Sequence, residues 1–271
     1  MKTIISILLL LAGFLSGFAA VADELITLKT RPEVTQSMLL LEPYSKTPNI
    51  VIVLFPGGAG NVALEIKEGR AIAANPYLFS RQRDILAQPD FAVVVIDVPS
   101  DRKVMDQEFR RSAMHLNDIE VAIREVRTRF PTARLVLMGH SSGTVSAGYV
   151  SRALGDQVSA VVLLAGVYLA TPPGPPGQPF GPGLSELDLG SLKSPVLIVH
   201  HTQDACRLTP LAAAEKSAGQ LPMIKVNGSV EAGSGPPCLP GTNHWFVGTE
   251  KATGEQVVNW LTGKSWQRAV P

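Results

Sequence analysis

Net charge is almost absent from this chain: 24 Lys and Arg stand against 23 Asp and Glu over 271 residues. A nucleic-acid-binding surface would show a basic excess, so that class of partner is not expected. Charged residues make up only 17% of the sequence and hydrophobic ones 45%, which excludes a chain that is disordered throughout. Aromatics are sparse at 6%, whereas 24 Gly and 21 Pro are present. So many turn residues exclude a coiled coil. Cysteine is confined to Cys206 and Cys238, without the paired spacing of a structural zinc site. The apolar run over residues 4–18 falls short of the roughly twenty residues that span a bilayer.

That run sits in a telling place. Lys2 precedes it and Ala20-Val21-Ala22 follows it, just before Asp23. A basic start, an apolar stretch and a small-residue cleavage site describe a secretory signal peptide. The expectation is a signal over 1–22, one domain over 23–271, and export to the periplasm or beyond. No stable membrane span is expected once the signal is removed; retention of the run as an anchor is the rival reading. In an oxidising compartment an isolated cysteine pair usually bridges. The Cys206–Cys238 loop would span 238 − 206 = 32 residues, and closing it is worth roughly 3–4 kcal/mol of chain entropy.

Beyond residue 24, short β-branched runs alternate with helical patterns. Residues 49–55 (NIVIVLF), 91–98 (FAVVVIDV), 134–138 (RLVLM), 158–167 (VSAVVLLAGV) and 195–201 (PVLIVHH) read as strands buried on both faces. Leading strands are expected at 25–30 and 38–41, and a short one at 223–226. Helices are expected over 115–130 and 250–261, where apolar residues recur at helical spacing, with a small-residue helix over 142–154 and a short one over 211–219. Strands alternating with helices imply βαβ units and a mostly parallel sheet. The Pro/Gly stretch 171–183 can be neither helix nor central strand.

Between the strand RLVLM and the next helix lies Gly139-His140-Ser141-Ser142-Gly143. This is the setting of a G-x-S-x-G nucleophile elbow, whose tight turn tolerates no bulk two residues before or after the serine. Ser141 alone satisfies the spacing. A serine hydroxyl needs a base, and the chain offers five histidines. His140 is locked in the elbow, and His115 begins an amphipathic helix and reads as surface or core edge. His200 and His201 alternate faces of one strand, which disfavours joint metal ligation. His244 alone lies late enough to follow an acid loop. For that acid, Asp204 stands just past the strand PVLIVHH, at the carboxyl end of the sheet where open α/β folds place their ligands; Asp188, before the strand, is the runner-up. Cys206 lies two residues after Asp204 and Cys238 six before His244, so their bridge would tie the acid loop to the histidine loop. An oxyanion needs backbone donors: Ser142 N–H is one, and Gly58, with Ala59 as its alternate, supplies the other from Pro56-Gly57-Gly58-Ala59-Gly60.

With FPGGAG, GHSSG, the Asp after VLIVHH and the late NHW histidine in that order, the chain resembles the α/β-hydrolase family over residues 25–262. The resemblance implies an eight-stranded, mostly parallel sheet, a Ser141–His244–Asp204 triad, and a minimal cap. Pro56 stands where that family often has His. The expected activity is hydrolysis of an acyl bond, most readily a carboxylic ester, in a small-molecule substrate, with no cofactor and no metal. A peptidase or amidase on the same triad, or a non-catalytic exported binding protein on this fold, are the alternatives. Arg81, Arg83, Arg110 and Arg111 read as solvated surface residues, with a grip on an acidic substrate as the alternative, and Asn227-Gly228-Ser229 as a formal glycosylation sequon or a turn.

Overall fold

A computed structural model describes residues 23–41, 47–86, 88–172, 180–228 and 235–271. The expected signal peptide, the Pro/Gly residues 173–179 and Ser229 of the sequon lie outside the described residues.

The chain opens with an antiparallel hairpin, β1 (Glu24–Arg31) and β2 (Val34–Leu41). β3 (Ile50–Phe55) follows, then a small separate hairpin of β4 (Leu64–Lys67) and β5 (Arg70–Ala73). Next come β6 (Phe91–Pro99), the single turn α1 (Gln107–Arg110), α2 (Ala113–Arg129), β7 (Arg134–His140) and α3 (Gly143–Leu154). The second half holds β8 (Ala160–Leu164), β9 (Val196–His201), α4 (Leu211–Ala218), β10 (Met223–Val226), α5 (Glu250–Leu261) and β11 (Ala269–Val270).

One sheet carries the molecule, in the order β1-β2-β6-β3-β7-β8-β9-β10-β11. β2 meets both β1 and β6 antiparallel, and every pairing from β6 to β11 is parallel. Among the described residues the sheet has nine strands, against the eight expected. The extra strand is the two-residue β11, which pairs with β10 through Lys225–Ala269 and Val226–Val270. Two residues carry no periodicity, and only the edge of β10 makes them a strand.

Both faces of the sheet are covered, which is why its strands read as unbroken apolar runs. In β3, Val51, Val53 and Phe55 point into the core built with α2, α3 and α4. Ile50, Ile52 and Leu54 point into the opposite core, where α5 and the segment Tyr77–Leu86 pack. Between β8 and β9, where a cap would be inserted, the described residues form a Thr171–Gly181 bridge and a 3-10 turn, Leu189–Ser191. There is no cap helix among them. No helix among the described residues is long and apolar enough to cross a membrane.

Candidate active site

β7 ends in the elbow. Ser141 has φ 52°, left-handed for a non-glycine residue, a strain of about 1–3 kcal/mol that surrounding contacts must hold. Its N–H donates to Leu164 O (2.9 Å), and its carbonyl accepts from Thr144 N (3.0 Å) and Thr144 Oγ1 (2.6 Å). The flanking glycines have a steric cause. A Cβ on Gly139 would come within 2.5 Å of Gly143 O, and one on Gly143 within 2.0 Å of Phe55 O. Both obstacles are backbone and cannot yield. The hydroxyl of Ser141 is thus lifted at the start of α3, where the helix dipole favours negative charge.

Asp204 and His244 arrive from two loops at the carboxyl ends of the strands. Asp204 follows β9 and is buried; Oδ1 accepts from Cys206 N (2.8 Å), and Oδ2 from Thr209 Oγ1 (2.8 Å). His244, buried in the 3-10 turn Asn243–Trp245, places Nδ1 2.8 Å from Asp204 Oδ2. Burial pushes the Asp204 carboxyl up, but hydrogen bonding to His244, the charge of His244, and the Cys206 and Thr209 donors outweigh it. The group is held below its ordinary value. Asp188 is engaged elsewhere: it caps the 3-10 turn ahead of β9 by accepting from Gly190 N.

The His244 loop rests on the elbow itself. His140 Nε2 donates to His244 O (3.0 Å), with the two rings 5.0 Å apart and Trp245 edge-on to His140 at 4.8 Å. Burial drives His140 down to about 3, so it is a neutral prop. His244 therefore sits against the residue that precedes Ser141. Among the described residues no direct hydrogen bond joins the Ser141 hydroxyl to His244.

Thr209 and the prop His140 are site residues that sequence reasoning missed. Thr209 lies five residues past Asp204 in a turn, and no spacing rule marks it. His115 is a correction. It is fully buried (0% exposed), with Nε2 2.9 Å from Ser146 Oγ, because the first turn of α2 packs against α3 and not against water. His200 is buried with Nε2 3.7 Å from Asp204 Oδ2, and burial lowers it to about 4. His201 accepts from Gln203 N at Nδ1 and donates to Gly228 O from Nε2. No cluster of potential metal ligands occurs among the described residues.

The Cys206–Cys238 disulfide is present, spanning 32 residues with Cα atoms 4.7 Å apart. It joins the acid loop to the histidine loop, helped by Asn243 Nδ2 donating to Gln203 O (3.2 Å). Since Cys206 N–H also holds Asp204 Oδ1, loss of the bridge should loosen the carboxylate. Reduction, or Cys206→Ala with Cys238→Ala, is expected to lower unfolding free energy by roughly 3 kcal/mol and to lower turnover with it. Thermal melts and kinetics on protein of verified redox state check this; full turnover after confirmed reduction would show that the bridge does not position Asp204.

On the other flank of Ser141 runs the loop after β3. A Cβ on Gly57 would come 2.9 Å from Ser141 Cβ, so only glycine lets this backbone pass Ser141. Gly58 has φ 55° and is exposed. The N–H groups of Gly58, Ala59 and Ser142 have no acceptor among the described residues. A small open cleft of about 80 Å³ beside the His244 loop is lined by Tyr77, Phe79, Arg81, Trp245 and Glu250, among others. Of the four arginines expected on the surface, Arg81 lines this cleft, Arg83 pairs with Asp23 (2.6 Å), and Arg111 pairs with Glu108 and Glu186. Arg110 overturns the expectation: it is 1% exposed, because α1 tucks it beneath the loop after β3.

No family model matches the chain, and no curated protein matches it significantly. Solved structures do. A dienelactone hydrolase from Anabaena variabilis aligns with TM-score 0.61 and 14% identity, over 89% of this chain and 97% of that one. An α/β serine hydrolase without a lid from Xanthomonas campestris aligns with TM-score 0.57 and 15% identity, over 88% and 95%. A carboxylesterase from Bacillus subtilis aligns with TM-score 0.57 and 12% identity, over 91% and 94%. At such identities the likeness is one of architecture: the chain has the α/β-hydrolase fold, with its helices on both faces of a mostly parallel sheet.

Proposed function

We propose that the protein is an exported serine hydrolase that cleaves a carboxylic ester through an acyl-enzyme. Ser141 Oγ attacks the carbonyl carbon while His244 Nε2 takes the hydroxyl proton. Asp204 keeps the proton on Nδ1, so that Nε2 is free to act as base, and stabilises the imidazolium. The carbonyl oxygen, now negative, accepts from Ser142 N–H and from Gly58 or Ala59 N–H. His244 returns the proton to the leaving alcohol, whose C–O bond breaks. Water then attacks the acyl-enzyme by the same route, releasing the acid and restoring Ser141.

The observation that carries this reading is the buried 2.8 Å His244–Asp204 pair braced against an elbow whose serine is strained to φ 52°. A bare fold does not need either feature. Catalytic hydrogen bonds to the nucleophile are often long until substrate binds, which accommodates the missing Ser141–His244 bond. The carboxylesterase among the similar structures adds weight to an ester over an amide, and the short segment between β8 and β9 suits small substrates that enter freely.

The test is hydrolysis of p-nitrophenyl esters of graded chain length beside matched anilides and peptides, with fluorophosphonate labelling located by mass spectrometry. Ester turnover with the label on Ser141 is expected. Turnover of anilides or peptides alone would move the assignment to an amidase, and no labelling or turnover of any kind would leave a binding protein on this fold. Export rests on residues 1–22 and the disulfide; a secreted chain whose mass begins at Asp23 is expected, and one retaining Met1 in the membrane would replace export with tethering.

A further inference from the structure

Arg110 is the largest of the fully buried side chains, and among the described residues it pairs with no carboxylate. Its guanidinium is spent on neutral acceptors. Nη2 donates to Pro56 O (3.1 Å) and Gly58 O (3.3 Å), Nε to Met105 O (3.2 Å) and Nη1 to Ser146 Oγ (3.0 Å). A buried cation with no carboxylate in direct contact is costly; burial lowers this one to about 9 against the opposing charge of Asp106, so it is still protonated at neutral pH. Its partners show where that cost is used.

Pro56 and Gly58 belong to the loop that passes Ser141. Two further carbonyls of that loop are also held: Gly57 O accepts from Gly60 N (2.9 Å) and Ala59 O from Met105 N (2.8 Å). In a trans peptide the C=O of one residue and the N–H of the next point in opposite directions. Fixing the carbonyls of Pro56, Gly57 and Gly58 therefore orients the N–H groups of Gly57, Gly58 and Ala59, and these have no acceptor among the described residues. Consecutive N–H groups held open in this way form an anion-binding concavity. The far end of the fork is anchored to α3, the helix that begins at the elbow, since Ser146 Oγ also meets the neutral His115.

We infer that Arg110 is a positioning residue for the oxyanion loop: its guanidinium, seated beneath residues 56–60 and tethered to α3, aims the loop's N–H groups at the oxygen that becomes negative when Ser141 attacks. The inference rests on the serine-hydrolase reading. It assigns a task that neither Lys nor a neutral residue can take over, because only the planar fork reaches two loop carbonyls, Met105 O and Ser146 Oγ together. The stabilisation is realised in the tetrahedral state and not in the ground state, so it belongs in kcat and not in KM.

The experiment compares wild type with Arg110→Lys, Arg110→Gln and Arg110→Gly on a p-nitrophenyl ester. Rates are divided by the concentration of active sites titrated with a fluorophosphonate, and folding is checked by circular dichroism and melting. For both the Lys and Gln variants kcat per active site is expected to fall about 100-fold, the scale of one lost oxyanion donor, with KM little changed. Affinity for an alkyl boronic acid, which forms a tetrahedral adduct on the serine, should fall in parallel. Added guanidinium, but not ammonium, should restore rate to the Gly variant, or to the Gln variant if the Gly variant does not fold. Unchanged kcat per active site in folded variants would overturn the inference, as would a loss of titratable sites with normal kcat in those that remain, or a rise in KM alone. Failure of wild type to label at Ser141 would instead remove the hydrolase reading on which the inference stands.

Discussion

Ser141→Ala is expected to lower kcat for ester hydrolysis by about a million-fold, and His244→Ala by a comparable factor, while the double variant is hardly worse than either. The non-additivity is the informative part. A hydroxyl without a base is a poor nucleophile, and a base without the hydroxyl has no proton to take, so the second loss removes nothing further. Residual rate above water should persist in each variant, since the backbone donors at Ser142 and in the loop after β3 are untouched. Ala at 141 keeps a Cβ in the same left-handed backbone, so melting should change little and the lost activity cannot be ascribed to unfolding. The measurement is single-turnover and steady-state kinetics on the two single variants and the double variant. A Ser141→Ala protein with more than a small fraction of wild-type kcat, free of contaminating esterase, would end the assignment of the nucleophile.

Asp204→Asn should cost about ten-thousand-fold in kcat with the fold intact. In the wild type both carboxylate oxygens accept hydrogen bonds, Oδ1 from Cys206 N and Oδ2 from Thr209 Oγ1 and His244 Nδ1. An Asn that turns its NH₂ toward His244 can be met only by an unprotonated Nδ1. The proton then moves to Nε2, and the base facing Ser141 disappears. An Asn turned the other way would set its NH₂ against Cys206 N–H, so the favoured orientation is the inactive one. Stability adds a second signature. The Asp204 carboxyl is held below its ordinary value, so its ionisation contributes stability above the unfolded pKa of about 3.9. That contribution fades as pH falls through the lower, folded value. The stability difference between wild type and Asp204→Asn should therefore be full near neutrality and shrink below about pH 4. Denaturant melts across pH measure this, and a difference that grows on acidification would contradict it.

Much of the architecture was legible beforehand because the buried strands announce themselves. β3, β6, β7, β8 and β9 are apolar runs that only a sheet covered on both faces can use. α2 and α5 carry helical spacing that matches the faces they bury. The β4–β5 hairpin escaped notice, since Leu64–Lys67 and Arg70–Ala73 are short and largely exposed. At the elbow, the pair Gly139 and Gly143 was readable because the steric demand is local: each Cβ would meet backbone.

Arg110 and His115 show the limit. Both sit in a charged, polar stretch (FRRSAMHLND) that, read alone, belongs at the surface, yet both are buried beneath the loop after β3 and against α3. Polarity along a chain reports the cost of burial but not the partners that offset it, and here all of those partners but Met105 O lie 31 to 54 residues away.

What residue order determined by itself is the alternation of strands and helices and the tight serine turn, since each depends on neighbours a few positions apart, together with the order in which an acid and a histidine follow the serine. The tertiary structure alone decided that His244 meets Asp204 with Thr209 in attendance, that His140 props the histidine from below, and that a buried arginine holds the glycine loop. Those contacts join segments whose spacing along the chain carries no information about distance. Only the packing of loops at one rim of the sheet brings them within reach of a hydrogen bond.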